Sequence, residues 1–153
     1  MTTSDDPLFL YLESARRSVS IYDGPDVFLS GFTRLPQAVG DLVATNWLVS
    51  EVENGDLPQF FENSTGVLSP EALAGLRRLD LTVAAEIMER AMALIGSPYP
   101  RVRSERKERL EGLSETLLEL SWDLCEALGP EFSNFDDAVE RYIKIHFSTG
   151  AGA

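Results

Sequence analysis

The sequence predicts an all-α fold, a single compact domain of about seven to eight helices. Apolar residues recur at spacings of three and four along most of the chain, which is the helical period. Proline and glycine stand at the boundaries of these segments, as helix starts and stops require. No segment combines strand alternation with hairpin signals. We therefore expect one helical domain over residues 1–147 and a disordered tail over residues 148–153.

Three helical segments are predicted in the first third of the chain. A helix is expected over residues 7–22, where an apolar face follows an Asp-Pro start signal. Residues 26–35 form either a short helix or an irregular apolar segment. The next helix is expected over residues 36–53, and Asn54 with Gly55 should end it in the left-handed conformation.

The middle of the chain predicts three further segments. A short helix is expected over residues 57–62, followed by turn residues at 63–66. Ser69 should cap a helix that runs to about residue 79. A longer helix is then expected from residue 81 or 82 to residue 95, where a glycine and two prolines break the chain.

The last third predicts two helices. One is expected over residues 101–128, either continuous or interrupted or bent at Gly112. The other is expected over residues 135–147, with Asn134 as its cap.

The charge balance restricts the kinds of partner. The 153 residues include 25 Asp and Glu against 13 Lys and Arg, so the net charge is −12. Such a chain repels nucleic acid and anionic membranes, so we expect no direct nucleic-acid binding and no membrane binding. If charge selects the partner, that partner is a basic protein. The alternative is that the acidity serves solubility alone.

The compartment follows from cysteine usage and from the N-terminus. Cys125 is the single cysteine, so no intramolecular disulfide can form. The first residues lack the basic and apolar regions of a signal peptide. We therefore expect a cytoplasmic protein.

A row of carboxylates is the most informative surface. If the helix over residues 101–128 is continuous, six acidic residues share one face of it, over a length of about 27 Å. They are Glu108, Glu111, Glu115, Glu119, Asp123 and Glu126. One charge every ~6 Å is sparser than the one per ~1.7 Å of duplex DNA, so imitation of a duplex requires a second row. The alternative is a solvated face, partly neutralised by the basic residues between Arg101 and Arg109.

Evidence for catalysis is weak. No phosphate-binding loop, dinucleotide fingerprint, zinc spacing or nucleophile elbow occurs. His146 is the single histidine and Cys125 is expected on a buried face, so both are interpreted as structural. Glu51 and Glu53 lie two apart on a predicted helix and diverge. We expect no catalytic residue, no metal site and no cofactor.

One segment resembles a known family. Residues 51–66, EVENGDLPQFFENSTG, resemble the pattern E-V-x-N-G-G-F-x-Q-Y/F-F-x-N-S/T-x-G. This pattern is typical of a bacterial family of unknown-function domains, whose characterised type is the nineteen-kilodalton acidic DNA-mimic protein. Looser similarity extends over residues 36–147, including the Arg-rich segment from Arg101 and the ending around Tyr142 and His146. The sequence departs from the pattern at residues 56–58, which adds a negative charge.

The residues of this motif themselves favour a scaffold over a binding site. Asparagine and glycine suit a helix end, the amides can bond to turn backbone, and the aromatics can anchor in the core. The residues are Asn54, Gly55, Gln59, Phe60, Phe61, Asn63 and Gly66.

The resemblance implies an all-α protein that forms a homodimer. It also implies a non-enzymatic protein that occupies the nucleic-acid surface of a basic DNA-binding regulator. The alternatives are an immunity-type inhibitor of a basic toxin or nuclease, a small enzyme that uses His146 or a carboxylate pair, and a helical domain with incidental acidity.

Overall fold

Eight α-helices form the part of the chain that the computed structural model describes, residues 24–147. Their bounds are α1 Pro25–Phe32, α2 Gln37–Asn54, α3 Leu57–Glu62, α4 Ser69–Arg78, α5 Thr82–Ile95, α6 Arg103–Arg109, α7 Ser114–Leu128 and α8 Ser133–Phe147. Short 3-10 helices occur at Ser64–Leu68 and Pro130–Phe132. No strand is present within residues 24–147. The predicted all-α class is confirmed, while the predicted helix over residues 7–22 and the tail over 148–153 lie outside the described residues.

Helix α2 is the central element of the fold. Ten of its eighteen residues are buried, so it is covered on most sides rather than along one stripe. Helix α4 packs against it most extensively, while α3 contacts both α2 and α7. Phe60 and Phe61 of α3 are fully buried in this core, as predicted.

A buried polar network joins α2, α4 and α8. Asp41 is only 3% exposed, and its carboxylate accepts hydrogen bonds from Arg78 Nε at 2.8 Å and Arg78 Nη2 at 2.7 Å. The Tyr142 hydroxyl donates to the same carboxylate. The hydrogen bond to Asp41 raises the pKa of Arg78, and burial together with the same hydrogen bond raises the pKa of Tyr142. These contacts satisfy a charge that would otherwise be costly to bury.

The predicted long helix over residues 101–128 is wrong as a continuous element. Helix α6 ends at Arg109 and α7 begins at Ser114, with a turn between them. Gly112 has a φ of +80° in this turn, a conformation that glycine adopts without the Cβ penalty. The alternative of an interruption at Gly112 is therefore confirmed.

The end of α2 also differs from its prediction. Gly55 has a φ of −156° and a ψ of −106°, which is not the left-handed conformation. Asn54 stays within the helix, and its Nδ2 donates to the Ser50 carbonyl at 2.9 Å. A Cβ at Gly55 would lie 2.2 Å from Gln59 Oε1, so a larger residue here would displace the Gln59 side chain.

Two predicted caps have other roles. Leu68 occupies the N-cap of α4, because the preceding 3-10 helix runs directly into it, and Ser69 lies inside the helix. Helix α8 begins at Ser133, so Asn134 belongs to its first turn. The Asn134 Nδ2 donates instead to the Ala127 carbonyl at 3.2 Å, near the end of α7.

Candidate partner-binding surface

Helix α7 is fixed to the core along one side. Its leucines at 117, 120, 124 and 128 are all buried, with 9% exposure or less. Ser121 lies on the same side, where its Oγ accepts from the Leu57 amide at 2.8 Å and donates to the Leu117 carbonyl at 3.0 Å. The opposite side of the helix is therefore held towards solvent at a fixed orientation.

That outward side carries four carboxylates. Glu115, Glu119, Asp123 and Glu126 are all exposed. They form a row about 16 Å long, with one charge every ~5–6 Å along the helix axis. Within residues 24–147 none of the four has a cationic side chain within ion-pair distance. We call these four residues the α7 row.

The two remaining carboxylates of the predicted row are not on this helix. Glu108 belongs to α6 and Glu111 to the turn that contains Gly112. Both side chains are exposed. The prediction of six carboxylates on one continuous face is therefore wrong, because the left-handed turn at Gly112 interrupts the helical spacing.

An exposed tryptophan lies beside the α7 row. Trp122 is 73% exposed, and Leu118, one turn earlier, is 36% exposed. Residues three and four positions apart are neighbours on a helix surface, so Glu119 and Glu126 flank the indole. The neighbouring Leu120 is buried in the core, whereas Leu118 lies at the surface. The outward face of α7 thus combines apolar and acidic side chains.

Helices next to α7 present more carboxylates. Helix α7 packs against both α5 and α8. Glu86 on α5 is exposed, as are Asp136 and Asp137 in the first turns of α8. Like the α7 row, these three have no ion-pair partner in the part of the chain that the structure describes.

The basic residues between Arg101 and Arg109 do not neutralise the α7 row. Arg101 forms a bidentate ion pair with Glu71, at 2.6 and 3.0 Å. Lys107 lies 3.9 Å from Glu62, and Arg109 lies 4.0 Å from Glu105. These cations contact other parts of the chain.

Arg106 is the buried member of this basic segment. Its side chain is 1% exposed, and burial lowers the pKa of its guanidinium. It donates to four backbone carbonyls: Phe61 at 2.8 Å, Asn63 at 2.9 Å, Arg101 at 2.7 Å and Pro100 at 3.3 Å. One guanidinium thereby joins α6 to the segment that follows α3.

The motif over residues 51–66 is a polar scaffold centred on Glu51. Its carboxylate accepts hydrogen bonds from Gln59 Nε2 at 2.9 Å, Asn63 Nδ2 at 2.9 Å and Thr65 Oγ1 at 3.2 Å. The amides were expected to bond to turn backbone, but they bond to this side chain instead. Gly66 is buried, and its carbonyl accepts the Tyr99 hydroxyl at 2.6 Å. The motif positions α3 and the following 3-10 helix rather than forming an exposed site.

The two groups considered for catalysis have ordinary surroundings. Cys125 is half-buried rather than fully buried, and burial raises the pKa of its thiol. A thiol with a raised pKa is a poor nucleophile at neutral pH. His146 is exposed near the end of α8, where its ring packs on Tyr142 with centroids 4.1 Å apart.

Sequence reasoning missed three features of this surface and its support. Trp122 interrupts the acidic positions and falls outside the apolar spacing of α7, which was a signal available in the sequence. Glu51 as an acceptor and Arg106 as a buried donor gave no such signal, because their partners depend on how separate helices pack.

No helix in residues 24–147 is long and apolar enough to cross a membrane. Within the same residues, no three acidic, histidine or cysteine side chains come close enough together to hold a metal ion.

Comparison with known proteins gives a family match. The family model described as DMP19-like protein matches residues 33–146, which is most of the chain and includes α7 and the motif around Glu51. No curated protein and no solved structure matches the chain.

Proposed function

We propose that this chain, which belongs to the DMP19-like protein family, is a non-enzymatic acidic protein. In this proposal it binds a basic DNA-binding regulator and occupies the regulator's DNA-binding surface. The observation that carries the proposal is the α7 row: four exposed carboxylates without an ion-pair partner in residues 24–147. Unpaired charges of one sign attract a surface of the opposite sign and accelerate encounter with it.

The use of cations elsewhere in the chain supports this proposal. Arg101, Arg106 and Arg109 each contact carboxylates or carbonyls away from α7. None of these three arginines pairs with the row, and the net charge of −12 adds to the negative potential of the row.

A second row is needed to approach the charge density of a duplex. Glu86, Asp136 and Asp137, on the helices that pack against α7, supply carboxylates for it. A homodimer, as the family resemblance implies, would place further carboxylates on the same assembly. In this proposal the partner's cationic DNA-binding groups contact these carboxylates in place of phosphates.

Competition with DNA tests the proposal. A partner captured on the full-length chain is purified, bound to a fluorescent duplex, and titrated with the chain while anisotropy is followed. We expect the duplex to be displaced, and we expect the affinity of the chain for the partner to fall as ionic strength rises.

Matched charge variants locate the surface. E115Q/E119Q/D123N/E126Q removes the α7 row, while D26N/E53Q/E62Q/D80N removes four exposed charges elsewhere. The first variant should lose displacement and the second should retain most of it. A partner that binds the chain and the duplex simultaneously, or an affinity independent of salt, contradicts the proposal. A partner that is a toxin or a nuclease would instead support the immunity-type alternative.

A further inference from the structure

We infer that Trp122 is the anchor of the partner-binding surface, and that the bound partner presents an arginine whose guanidinium stacks on the indole between Glu119 and Glu126. This inference rests on the proposed function and specifies the chemistry of its binding surface. It concerns one exposed apolar position and the charges around it.

Within residues 24–147, nothing in the fold covers Trp122. A tryptophan at 73% exposure leaves most of a large apolar ring in water, next to Leu118 at 36%. The other tryptophan, Trp47, packs against the core and stacks on Phe28 with centroids 5.9 Å apart. Tryptophan is among the residues most enriched where a few side chains dominate binding energy. The position of Trp122 therefore indicates contact with another molecule.

The surrounding charges select the kind of partner. Carboxylates lie three positions before Trp122 and four positions after it, on either side of the ring along the helix. A cation placed over the indole would contact the negative face of the ring and a carboxylate together. A neutral apolar surface would instead bury these carboxylates without compensation.

Arginine fits this arrangement better than lysine. Its planar guanidinium stacks on an aromatic face and still directs N–H groups at carboxylates in its own plane. An ammonium is a compact, strongly hydrated charge that gains less from stacking. A protein that holds DNA by arginines would offer such groups on the surface that this chain is proposed to occupy.

A second copy of the chain is disfavoured as the occupant of this face. Symmetric pairing places the same patch on both sides of the interface. Two α7 rows would then face each other. Each copy would contribute four carboxylates, and within residues 24–147 no cationic side chain forms an ion pair with them. Charge complementarity thus favours a cationic partner over self-association here.

The test follows each tryptophan by NMR in the full-length chain. The chain has two tryptophans, so two indole N–H signals are expected, and W122F assigns them. The probes are two short peptides of equal length, one alternating arginine with serine and one alternating lysine with serine. We expect the Trp122 signal to shift with the arginine peptide, to shift less with the lysine peptide, and the Trp47 signal to stay in place.

Substitutions at exposed apolar positions measure the contribution of the ring. We expect W122A to weaken binding of the arginine peptide roughly tenfold, and W122F to weaken it less because a smaller aromatic face remains. I145A removes an apolar side chain that is 68% exposed on α8 and serves as the matched control. Thermal unfolding of each variant checks that the fold is retained.

The outcomes separate this inference from the proposed function. If W122A binds the arginine peptide as the unmodified chain does while E115Q/E119Q/D123N/E126Q fails to bind, the anchor role is overturned and the acidic-surface proposal stands. If W122A loses binding while charge removal and salt have no effect, the proposed electrostatic function is overturned. A W122A variant that changes the sedimentation of the free chain from dimer to monomer would assign the face to a second copy, and would also overturn the arginine anchor.

Discussion

Glu51 and Glu53 lie two residues apart on α2 and have different surroundings. Glu51 accepts three side-chain hydrogen bonds from residues up to fourteen positions later, whereas Glu53 is exposed. Their spacing of two residues on a helix predicted that they diverge. The structure adds that hydrogen bonds hold the Glu51 side chain inside the motif. A carboxylate can accept from three donors at once, which an amide cannot do equally well.

The pair supplies a matched stability test. We expect E51Q to lower the free energy of unfolding by about 1–3 kcal/mol, because an amide group replaces an acceptor oxygen facing the donors of Gln59 and Asn63. E53Q should change it by no more than about 0.5 kcal/mol, as for most surface substitutions. Urea denaturation of both variants measures the difference, and equal effects would show that the Glu51 network has no stabilising role.

Arg106 supports the same region from the opposite side. R106M leaves four carbonyls, two buried and two half-buried, without this donor, so we expect the free energy of unfolding to fall by roughly 3–5 kcal/mol. R103M is the control, since Arg103 is exposed and, among residues 24–147, donates only to the Glu62 carbonyl, at 2.7 Å. A loss of similar size in both variants, measured in urea, would contradict the special role of the buried guanidinium.

Tyr99 predicts how stability changes at alkaline pH. Burial raises the pKa of its hydroxyl, which donates to Gly66. The folded chain therefore holds this proton more tightly than the unfolded chain. The stability that the protonated Tyr99 hydroxyl contributes is fully present below the unfolded pKa of about 10. It is lost as pH rises towards the pKa in the folded chain, at about 1.4 kcal/mol per pH unit.

Y99F removes this titration. We expect the unmodified chain to lose more stability than Y99F between about pH 9 and about pH 11. Urea unfolding at the two pH values, with circular dichroism as the signal, makes the comparison. The same alkaline loss in both proteins would argue against a raised pKa at Tyr99.

At the scale of elements, helix positions could be predicted well because their signals are local. Proline and glycine marked most of the helix boundaries. The break between α6 and α7 was given only as an alternative, since a glycine inside a helical pattern is compatible with both outcomes. The contacts of Glu51 and Arg106 could not be predicted, because they join residues that helix packing brings together. The link between Asp41 and Tyr142 spans 101 positions in the sequence.

The turn at Gly112 is a direct test of that break. A Cβ at this position would have no atom within 4 Å, so a substitution is penalised by backbone conformation alone. We expect G112A to cost about 1–2 kcal/mol, since φ is +80°. G112N should cost less, because asparagine tolerates positive φ better than alanine. Equal stability of G112A and the unmodified chain would indicate a continuous helix.

At the scale of the whole molecule, the excess of negative charge opposes folding at low salt. The chain carries a net charge of −12, and compaction brings these charges closer together. Raising the ionic strength from about 0.01 M to about 0.15 M shortens the screening length from about 30 Å to about 8 Å. We expect the midpoint of thermal unfolding to rise over this range.

The α7 row should account for part of this salt response. E115Q/E119Q/D123N/E126Q removes neighbouring like charges, which destabilise a helix when they are three or four residues apart. We expect the variant to have a higher midpoint than the unmodified chain at low salt and a smaller rise with added salt. Calorimetry in a series of sodium chloride concentrations measures both, and an unchanged salt response would mean that the row does not contribute to this repulsion.

The two tryptophans also give the molecule two built-in fluorescent reporters. Trp47 lies against the core and Trp122 stands in solvent among carboxylates. A cationic collisional quencher such as caesium should accumulate at Trp122, while the iodide anion should be repelled from it. The ratio of the caesium and iodide quenching constants therefore reports the local electrostatic potential at the Trp122 indole. The measurement requires no label and no partner.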